Sequence, residues 1–393
     1  EMSASLVGSE MCIRDRQVFS GLSNSTVVLF AGMFVVGAAM FYTGLAQAIG
    51  EKVVHIFGTG ENSLMLGLML VGTVLSSVLS NTGTCACLMP VALGICAASK
   101  NPASRQLLPM AYACGWGGII TLVGTPPNII GSGALTAAGL PGFSFFEFAW
   151  IGIPLSVAGI LYMLLIGKYL LPKAELDADQ EIEQEIEATT HDKKKQMISG
   201  MILLVCVIVM ALDFKFISLE MTAIIGALVC VLTGCLTEKQ AYSSIDWVTI
   251  FLFAGMMPVS TAMDKTGAGK LIANWAVGLM GGEPTPLIVT IVLFSISCFL
   301  TQFMSNTASA ALLCPIGIAI AKQLNADPKA VVMAIAVAAS CAFATPVGTP
   351  PCTLVLGPGG YKFMDYVKCG TGLVLVCFVV SLIVIPMVWP FFP

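Results

Sequence analysis

Long apolar stretches recur along this chain, and several are long enough to cross a lipid bilayer. The clearest are residues 197–212, 219–236, 247–263 and 370–389. The hydrocarbon core of a bilayer is about 30 Å thick, which an α-helix of about 20 residues spans. Only 10% of the 393 residues are charged, against about 25% in an ordinary soluble domain. We therefore expect an all-α integral membrane protein that crosses the membrane several times.

The composition also excludes several kinds of function. The acidic stretch 175–187 supplies much of the net charge of -4, and no basic patch indicates nucleic-acid binding. The 14 cysteines show no metal-ligand spacing, so we interpret them as small buried apolar side chains. The two histidines, His55 and His191, lie near charged segments without a paired nucleophile, which argues against a membrane enzyme. We expect no organic cofactor.

An internal repeat organises the sequence. Three landmarks occur twice in the same order: LFAGM at 29–33 and 252–256, Ser-Asn-Thr at 80–82 and 305–307, and Gly-Thr-Pro-Pro at 124–127 and 348–351. The separations are 223, 225 and 224 residues. A nearly constant separation over three landmarks indicates an ancient duplication.

The repeat and the charge pattern together predict the domain organisation. We expect a non-native or disordered leader at 1–24, a first repeat at 25–172, a charged linker at 173–196 and a second repeat at 197–393. Two apolar spans precede LFAGM in the second half and none in the first, so we expect an N-terminally truncated chain. A cytoplasmic linker places eleven Lys and Arg residues inside and five outside, in agreement with the positive-inside rule.

Pairs of short apolar segments flank both Ser-Asn-Thr motifs. The segments are 62–79 and 85–99 in the first half, and 285–304 and 308–323 in the second. Their length and the uncharged break between them are typical of a re-entrant hairpin whose tip ends near the membrane midplane. The second helix of such a hairpin directs N–H groups and the positive end of its dipole at the tip, so a carboxylate can bind without Lys or Arg. Two facing tips predict a site for a dianion.

Oxygen-bearing groups near the same tips indicate cation sites. Ser76 and Thr301 each precede the motif serine by four residues, which puts a hydroxyl one helical turn before each tip and on the same face. The Gly-Thr-Pro-Pro motifs interrupt helical hydrogen bonding and so free carbonyls near Ile120 and Ala344. Alkali cations bind such oxygens, so the sequence predicts two symmetric cation sites.

At these motifs the chain resembles the divalent anion/sodium symporter family, the INDY-type dicarboxylate transporters, from about Val27 to the C-terminus. The resemblance implies two inverted-topology repeats, each with a re-entrant hairpin and a broken helix, in an elevator-type transporter. It implies symport of a small divalent anion such as succinate, malate or fumarate with two or more sodium ions. It also implies a multi-pass protein of the bacterial inner membrane that forms a homodimer when full length.

The resemblance carries specific residues. The implied sodium ligands are Ser76, Ser80, Asn81 and a carbonyl near Ile120 at the first site, and Thr301, Asn306 and carbonyls near Met304 and Ala344 at the second. The implied substrate-binding residues are Ser80, Asn81, Thr82, Ser305, Asn306, Thr307, Thr345 and Pro346. One position departs from the family pattern: the second broken-helix motif ends in Cys352, whereas the first ends in Asn128.

Alternative functions remain open from sequence alone. A permease or antiporter of a related family that moves sulfate, citrate or another anion fits the same motifs. A channel fits the apolar spans but gives no reason for two duplicated hairpin tips. Asp246 falls at the end of a predicted span, and we interpret it as an interfacial anchor.

Overall fold

A computed structural model of the protein describes residue 22 and residues 24–58, 60–99, 101–172, 192–212, 217–266, 271, 274 and 285–390. All regular secondary structure within these ranges is helical, as the apolar pattern predicts. The predicted leader, except for residues 22 and 24, and residues 173–191 of the predicted linker lie outside the described residues. The predictions for those two segments therefore stay predictions.

The first half opens with two helices that a glycine separates. Helix α1 spans Ser25–Tyr42 and α2 spans Leu45–Phe57. Between them Gly44 has a φ of 73°, in the left-handed region that favours glycine. The remaining helices of this half are α3 (Glu61–Ser76), α4 (Asn81–Ser99), α5 (Leu107–Gly117), α6 (Pro126–Ala137) and α7 (Ala149–Tyr162), which a π-helical turn at Met163–Gly167 extends to Leu170.

The second half repeats this order after two further helices and a short one. Its helices are α8 (Lys193–Leu212), α9 (Leu219–Leu232), α10 (Glu238–Ser243), α11 (Trp247–Thr266), α12 (Pro286–Leu300), α13 (Asn306–Gln323), α14 (Pro328–Ser340), α15 (Pro350–Leu356) and α16 (Phe363–Val388). Helices α3, α4, α5 and α6 thus correspond to α12, α13, α14 and α15. Helices α4 and α13 begin at the motif asparagines, four and two residues earlier than the sequence predicts.

Several long helices expose apolar stripes. The segments Ser25–Tyr42, Ala149–Leu170, Lys193–Leu212 and Phe363–Val388 are long and apolar enough to cross a membrane. On α16 the exposed side chains recur every four residues, at Leu375, Val379, Ile383 and Met387. A stripe of large apolar side chains on an outer helix face is stable in lipid and unfavourable in water. The fold is that of a multi-pass membrane protein.

The two halves share one core. Helices α5 and α14 are buried almost throughout, because their small and apolar side chains leave no polar face for solvent. The Tyr112 hydroxyl on α5 donates to the Phe343 carbonyl beyond α14 at 2.9 Å. Helix α6 packs against α13 and α14, α15 packs against α4 and α5, and α16 packs against α7. Each broken helix therefore contacts elements of the opposite half.

Candidate functional site

The two hairpin tips meet at one cavity of about 880 Å³. Six residues of the duplicated motifs line it, and they are Ser80, Asn81, Thr82, Ser305, Asn306 and Thr307. Residues of both Gly-Thr-Pro-Pro segments line it as well, among them Gly124 and Gly348. Motifs that lie 225 residues apart in sequence thus face the same cavity.

Both hairpin helices start at this cavity with a serine cap. The Ser80 hydroxyl accepts a hydrogen bond from the Gly83 N–H at 3.1 Å, and the Ser305 hydroxyl accepts one from the Ala308 N–H at 3.2 Å. The other N–H groups of a first helical turn have no acceptor within the helix, and the helix dipole adds partial positive charge there. The starts of α4 and α13 are therefore suited to hold an anion.

The broken helices also restart at the cavity, but they offer fewer donors. Pro126 and Pro127 open α6, and Pro350 and Pro351 open α15. Proline has no backbone N–H, so the first turn of each of these helices lacks two donors. Hydrogen bonds to an anion in this cavity therefore come mainly from the hairpin helices.

Four oxygen-bearing groups converge beside the first tip. The Ser76 hydroxyl lies 2.7 Å from the Cys114 carbonyl oxygen and 2.6 Å from the inward atom of the Asn81 amide. That amide atom lies 3.1 Å from the carbonyl oxygens of Cys114 and Gly124. Ser76 is fully buried, so its hydroxyl bonds to these protein groups and not to bulk water.

The second tip has the same arrangement. The Thr301 hydroxyl lies 2.6 Å from the Ala339 carbonyl oxygen and 2.7 Å from the inward atom of the Asn306 amide. That atom lies 3.1 Å from the Ala339 carbonyl oxygen and 3.0 Å from that of Gly348. Corresponding distances in the two clusters thus agree to about 0.1 Å.

Each asparagine amide has two orientations with different chemistry. With its nitrogen inward, Asn81 donates to the Ser76 hydroxyl and to the carbonyls of Cys114 and Gly124. With its oxygen inward, the same positions hold four oxygens, and only the Ser76 hydroxyl carries a hydrogen. Such a cluster of neutral oxygens lacks a positive charge, which a hard cation supplies.

Glycines allow the backbone to close around the first cluster. A Cβ at Gly118 would lie 2.3 Å from an atom of the Asn81 amide, and one at Gly124 would lie 2.5 Å from the Gly118 carbonyl oxygen. Both distances are too short for a carbon atom. A side chain at either position would displace a group of the cluster.

The rest of the cavity wall is mainly apolar, and its described residues carry a single charge. Phe30, Phe34 and Phe41 of α1 are among the lining residues. The charged lining residue is Asp246, which is exposed and caps α11 by accepting a hydrogen bond from the Thr249 N–H at 3.1 Å. The described lining includes no Lys, Arg or His, so the tips themselves carry the attraction for an anion.

The structure places the remaining predicted site residues unevenly. Met304 lines the cavity. Thr345 and Pro346 are buried behind the lining: the Thr345 hydroxyl donates to the Gln302 carbonyl at 2.6 Å, and the Pro346 carbonyl accepts from Thr353 at 2.6 Å. Ile120 lies against Gly152 of α7, and Ala344 lies against Gly370 of α16.

The carbonyls that lie beside the two asparagine amides differ from those near Ile120 and Ala344 that the resemblance implies as sodium ligands. The carbonyls beside the asparagines belong to Cys114, Gly124, Ala339 and Gly348. Every residue has a carbonyl, so residue type gives no signal for Cys114 or Ala339. Cys114 follows Asn81 by 33 residues, and Ala339 follows Asn306 by the same number. This equal spacing identifies the two carbonyls as equivalent only after the structure has shown the cluster. The cavity position of Asp246 likewise went unrecognised, because an N-cap and an interfacial anchor look alike in sequence.

Comparison with known proteins identifies relatives of the chain. The family model of the citrate transporters, CitMHS, matches residues 4–276 and 208–392. An uncharacterised transporter of Haemophilus influenzae is 33% identical over 96% of this chain and 84% of its own length. YfbS of Escherichia coli, also an uncharacterised transporter, is 25% identical over 95% and 92%. The sodium-dependent dicarboxylate transporter SdcS of Staphylococcus saprophyticus is 25% identical over 96% and 79%.

Two solved transporter structures share the fold. YdaH of Alcanivorax borkumensis superposes with a TM-score of 0.70 at 13% identity, over 94% of this chain and 86% of that one. MtrF of Neisseria gonorrhoeae gives 0.67 at 14% identity, over 96% and 85%. The family match, the relatives and the duplicated motifs lead to one conclusion: the chain matches the citrate transporter model CitMHS, belongs to the divalent anion/sodium symporters and is a secondary transporter.

Proposed function

We propose that the protein is a sodium-coupled symporter of a small divalent organic anion, with a C4-dicarboxylate such as succinate, malate or fumarate as substrate. The observation that carries this proposal is the pair of matched oxygen clusters around Asn81 and Asn306, each beside a helix start that faces the common cavity. One cluster and one helix start per half give two cation sites and two carboxylate positions. The relationship to SdcS supports the same substrate class.

Sodium binding and anion binding are coupled through the two asparagines in this proposal. A sodium ion between Ser76, Cys114, Gly124 and Asn81 requires the amide oxygen to turn inward. The Asn81 nitrogen then faces away from the cluster, and its hydrogens become available to an acceptor. Without the ion the nitrogen-inward orientation is favoured, because it satisfies the buried carbonyls. Sodium thus prepares each tip for a carboxylate, and it adds positive charge beside it.

Sodium is the cargo ion in this proposal, and the proposed ligands differ in part from those implied by the resemblance. Ser76, Asn81, Thr301 and Asn306 are retained. The carbonyls of Cys114, Gly124, Ala339 and Gly348 take the positions expected for those near Ile120 and Ala344. Ser80 and Met304 stay further candidates at the rim of each cluster. The substrate positions are the two Ser-Asn-Thr tips, with Thr345 and Pro346 supporting the second from behind.

Citrate is the second candidate substrate. The family model that matches most of the chain is that of citrate transporters. A cavity of about 880 Å³ has room for a tricarboxylate as well as for a C4-dicarboxylate. Sulfate, or exchange in place of symport, is a weaker alternative because the apolar wall of α1 adds nothing to the binding of a small inorganic anion.

The remaining expectations belong to the same proposal. We place the protein in a bacterial inner membrane, in line with its bacterial relatives. Two inverted repeats, an elevator motion and a homodimer of the full-length protein belong to the proposal as the resemblance implies them, and the matching order of helices in the two halves supports the repeat. Charged linker residues on the cytoplasmic side complete the topology.

Uptake into proteoliposomes tests the proposal. Labelled succinate, citrate and sulfate are supplied in turn, with sodium or potassium outside. We expect uptake of the preferred organic anion to depend on sodium with a Hill coefficient above one. Asn81→Ala and Asn306→Ala should each reduce it at least tenfold, because each removes a ligand shared by cation and anion. Equal uptake in potassium would refute sodium coupling.

A matched control is available on α3. Asn62 is an exposed amide at the far end of that helix, where its side chain accepts a hydrogen bond from Lys168 at 3.2 Å. Asn62→Ala should leave uptake near the wild-type level. An equal loss in all three variants would point to damage of the fold and not to the proposed site.

A further inference from the structure

The two cation sites are equivalent in their clusters but differ in how the neighbouring backbone is held. In each half a segment that is largely unwound connects two carbonyls of the cluster. Residues 115–123 run from Cys114 to Gly124 and leave the helix after 117, and residues 340–347 run from Ala339 to Gly348 and leave the helix after 340. The position of both carbonyls depends on the conformation of this segment. Whatever fixes it determines the geometry of the site.

In the first half an asparagine of the broken helix fixes the segment. Asn128 is fully buried, and its side-chain nitrogen donates to the Thr121 carbonyl at 2.8 Å. The same nitrogen lies 3.3 Å from the Gly118 carbonyl oxygen and 3.4 Å from that of Ile119. One amide group thus holds three carbonyls between the two that face Asn81. On the hairpin of this half, the Ser77 hydroxyl donates to the Val74 carbonyl at 2.7 Å and does not reach the segment 115–123.

In the second half that asparagine is replaced by Cys352, which is fully buried. The two unwound segments still lie in equivalent positions against their hairpins. The Thr121 hydroxyl donates to the Ser77 carbonyl in the first half, and the Thr345 hydroxyl donates to the Gln302 carbonyl in the second. A cysteine thiol is a weak donor and cannot hold several carbonyls. The segment 340–347 therefore needs another anchor.

Gln302 supplies it from the hairpin. Its side-chain nitrogen donates to the Cys341 carbonyl at 3.0 Å and to the Cys298 carbonyl at 2.9 Å. Its side-chain oxygen accepts the Ala344 N–H at 3.0 Å. Gln302 is 8% exposed, so these bonds form away from solvent. In the first half the same position is Ser77, whose side chain is too short to reach across.

We infer that Gln302 is the positioning residue of the second cation site and replaces there the function that Asn128 has at the first. The anchoring amide has moved from the broken helix to the hairpin, so a change at one position compensates for a change at the other. This inference rests on the proposed function for its effect on sodium, whereas the anchoring itself is a property of the fold. Groups that orient metal ligands from behind typically change affinity 10- to 100-fold when they are removed.

The test transfers the arrangement of one half to the other. Gln302→Ser should raise the sodium concentration for half-maximal uptake at least tenfold and lower the Hill coefficient towards one. Adding Cys352→Asn to this variant should restore both values, because it rebuilds the arrangement of the first half. The reciprocal control applies the same exchange to the first half: Asn128→Cys removes its anchoring amide, and adding Ser77→Gln rebuilds the arrangement of the second half. A Gln302→Ser variant with unchanged sodium dependence, or one that Cys352→Asn does not rescue, would overturn the inference.

A second readout is independent of transport. Loss of Gln302 should speed hydrogen–deuterium exchange in a peptide that covers 341–348, because the Ala344 N–H loses its acceptor. The exchange of 115–123 should stay unchanged, and Cys352→Asn should restore protection at 341–348. If wild-type uptake proves indifferent to sodium, the proposed function fails, and exchange still decides whether Gln302 anchors this segment. Unchanged exchange in Gln302→Ser would overturn the anchoring role.

Discussion

The polar side chains at the two hairpin tips are neutral, whereas ion-binding sites often use charged ones. Asn81 and Asn306 each place one amide atom against buried oxygens and lie at the start of a helix. An amide carries a donor and an acceptor on one rigid group, so it can serve a cation on one side and an anion on the other. A lysine or arginine in the same place would bind the anion without any dependence on sodium. In the described lining, the proposed anion site therefore depends on these amides and helix starts.

Asp246 gives a prediction at the residue scale. Its carboxylate lies at the cavity and opposes a dianion. At about 10 Å in water, one charge repels a dianion by about 0.8 kcal/mol, or about fourfold in affinity. Asp246→Asn keeps a good N-cap and removes the charge, so KM for the anion should fall about two- to fourfold at low ionic strength. Uptake kinetics at fixed sodium, with choline chloride added to screen charge, measure this effect.

The control separates the charge from the cap. Asp246→Ala removes both, so it should show the same fall in KM together with a lower melting temperature, since a lost cap costs about 1 kcal/mol. A KM that is unchanged at low ionic strength would contradict an electrostatic role for this carboxylate.

Among the elements, helices α1 and α9 make a tight contact that is sensitive to substitution. A Cβ at Gly32 would lie 2.6 Å from a backbone carbon of Ala223 on α9. Small residues at such crossings let helices approach closely in membranes. Gly32→Ala should therefore cost about 1–3 kcal/mol through overpacking. Thermal unfolding in detergent measures the loss.

The matched control lies on the same helix. A Cβ at Gly37 would meet only a Leu79 methyl group, at the ordinary contact distance of 3.8 Å. Gly37→Ala should be neutral or slightly stabilising, because alanine favours a helix by about 0.5–1 kcal/mol over glycine. Equal melting temperatures for Gly32→Ala and Gly37→Ala would show that α1 and α9 do not pack as described.

At the scale of the whole molecule, one carboxylate joins three distant parts of the chain. Glu147, just before α7, accepts hydrogen bonds from Lys329 at the start of α14 at 2.7 Å and from Trp389 after α16 at 2.9 Å. Burial by itself raises the pKa of this carboxyl group. The Lys329 ammonium, the Trp389 indole and the Ser144 N–H outweigh burial, so the pKa lies below its usual value.

This cluster predicts a pH-dependent stability. Because the folded pKa of Glu147 is lowered, its contribution is complete above the unfolded pKa of about 4.3 and is lost as the pH falls through the lower folded value. Glu147→Gln should lower stability by about 1–3 kcal/mol at pH 7 and by progressively less in acid. Melting temperatures of the wild type and the variant between pH 7 and about pH 2.5 measure this difference, which should begin to shrink near the unfolded pKa of about 4.3. The exposed Glu238→Gln is the control, and a constant difference across that range would contradict the prediction.

Much of the helix order could be predicted because it follows from local rules. The break at Gly44, the starts of α4 and α13 near the Ser-Asn-Thr motifs and the interruptions at the proline pairs all depend on residues adjacent in sequence. The repeat also identified which residues to compare between halves. The neighbours of each carbonyl could not be predicted, because contacts between residues distant in sequence determine them. The Ala339 carbonyl beside the Thr301 hydroxyl is an example.

The sequence by itself therefore determined that the chain is an integral membrane protein and that its two halves repeat the same motifs. It also determined which polar motifs interrupt the apolar helices. These properties depend on hydrophobicity and on backbone preferences that act over a few residues. Only the tertiary structure decided that the two tips line one cavity, which carbonyls surround each asparagine and that Gln302 stands in for a missing amide at position 352. Those relations join residues 33 to 225 positions apart, and tertiary packing creates them.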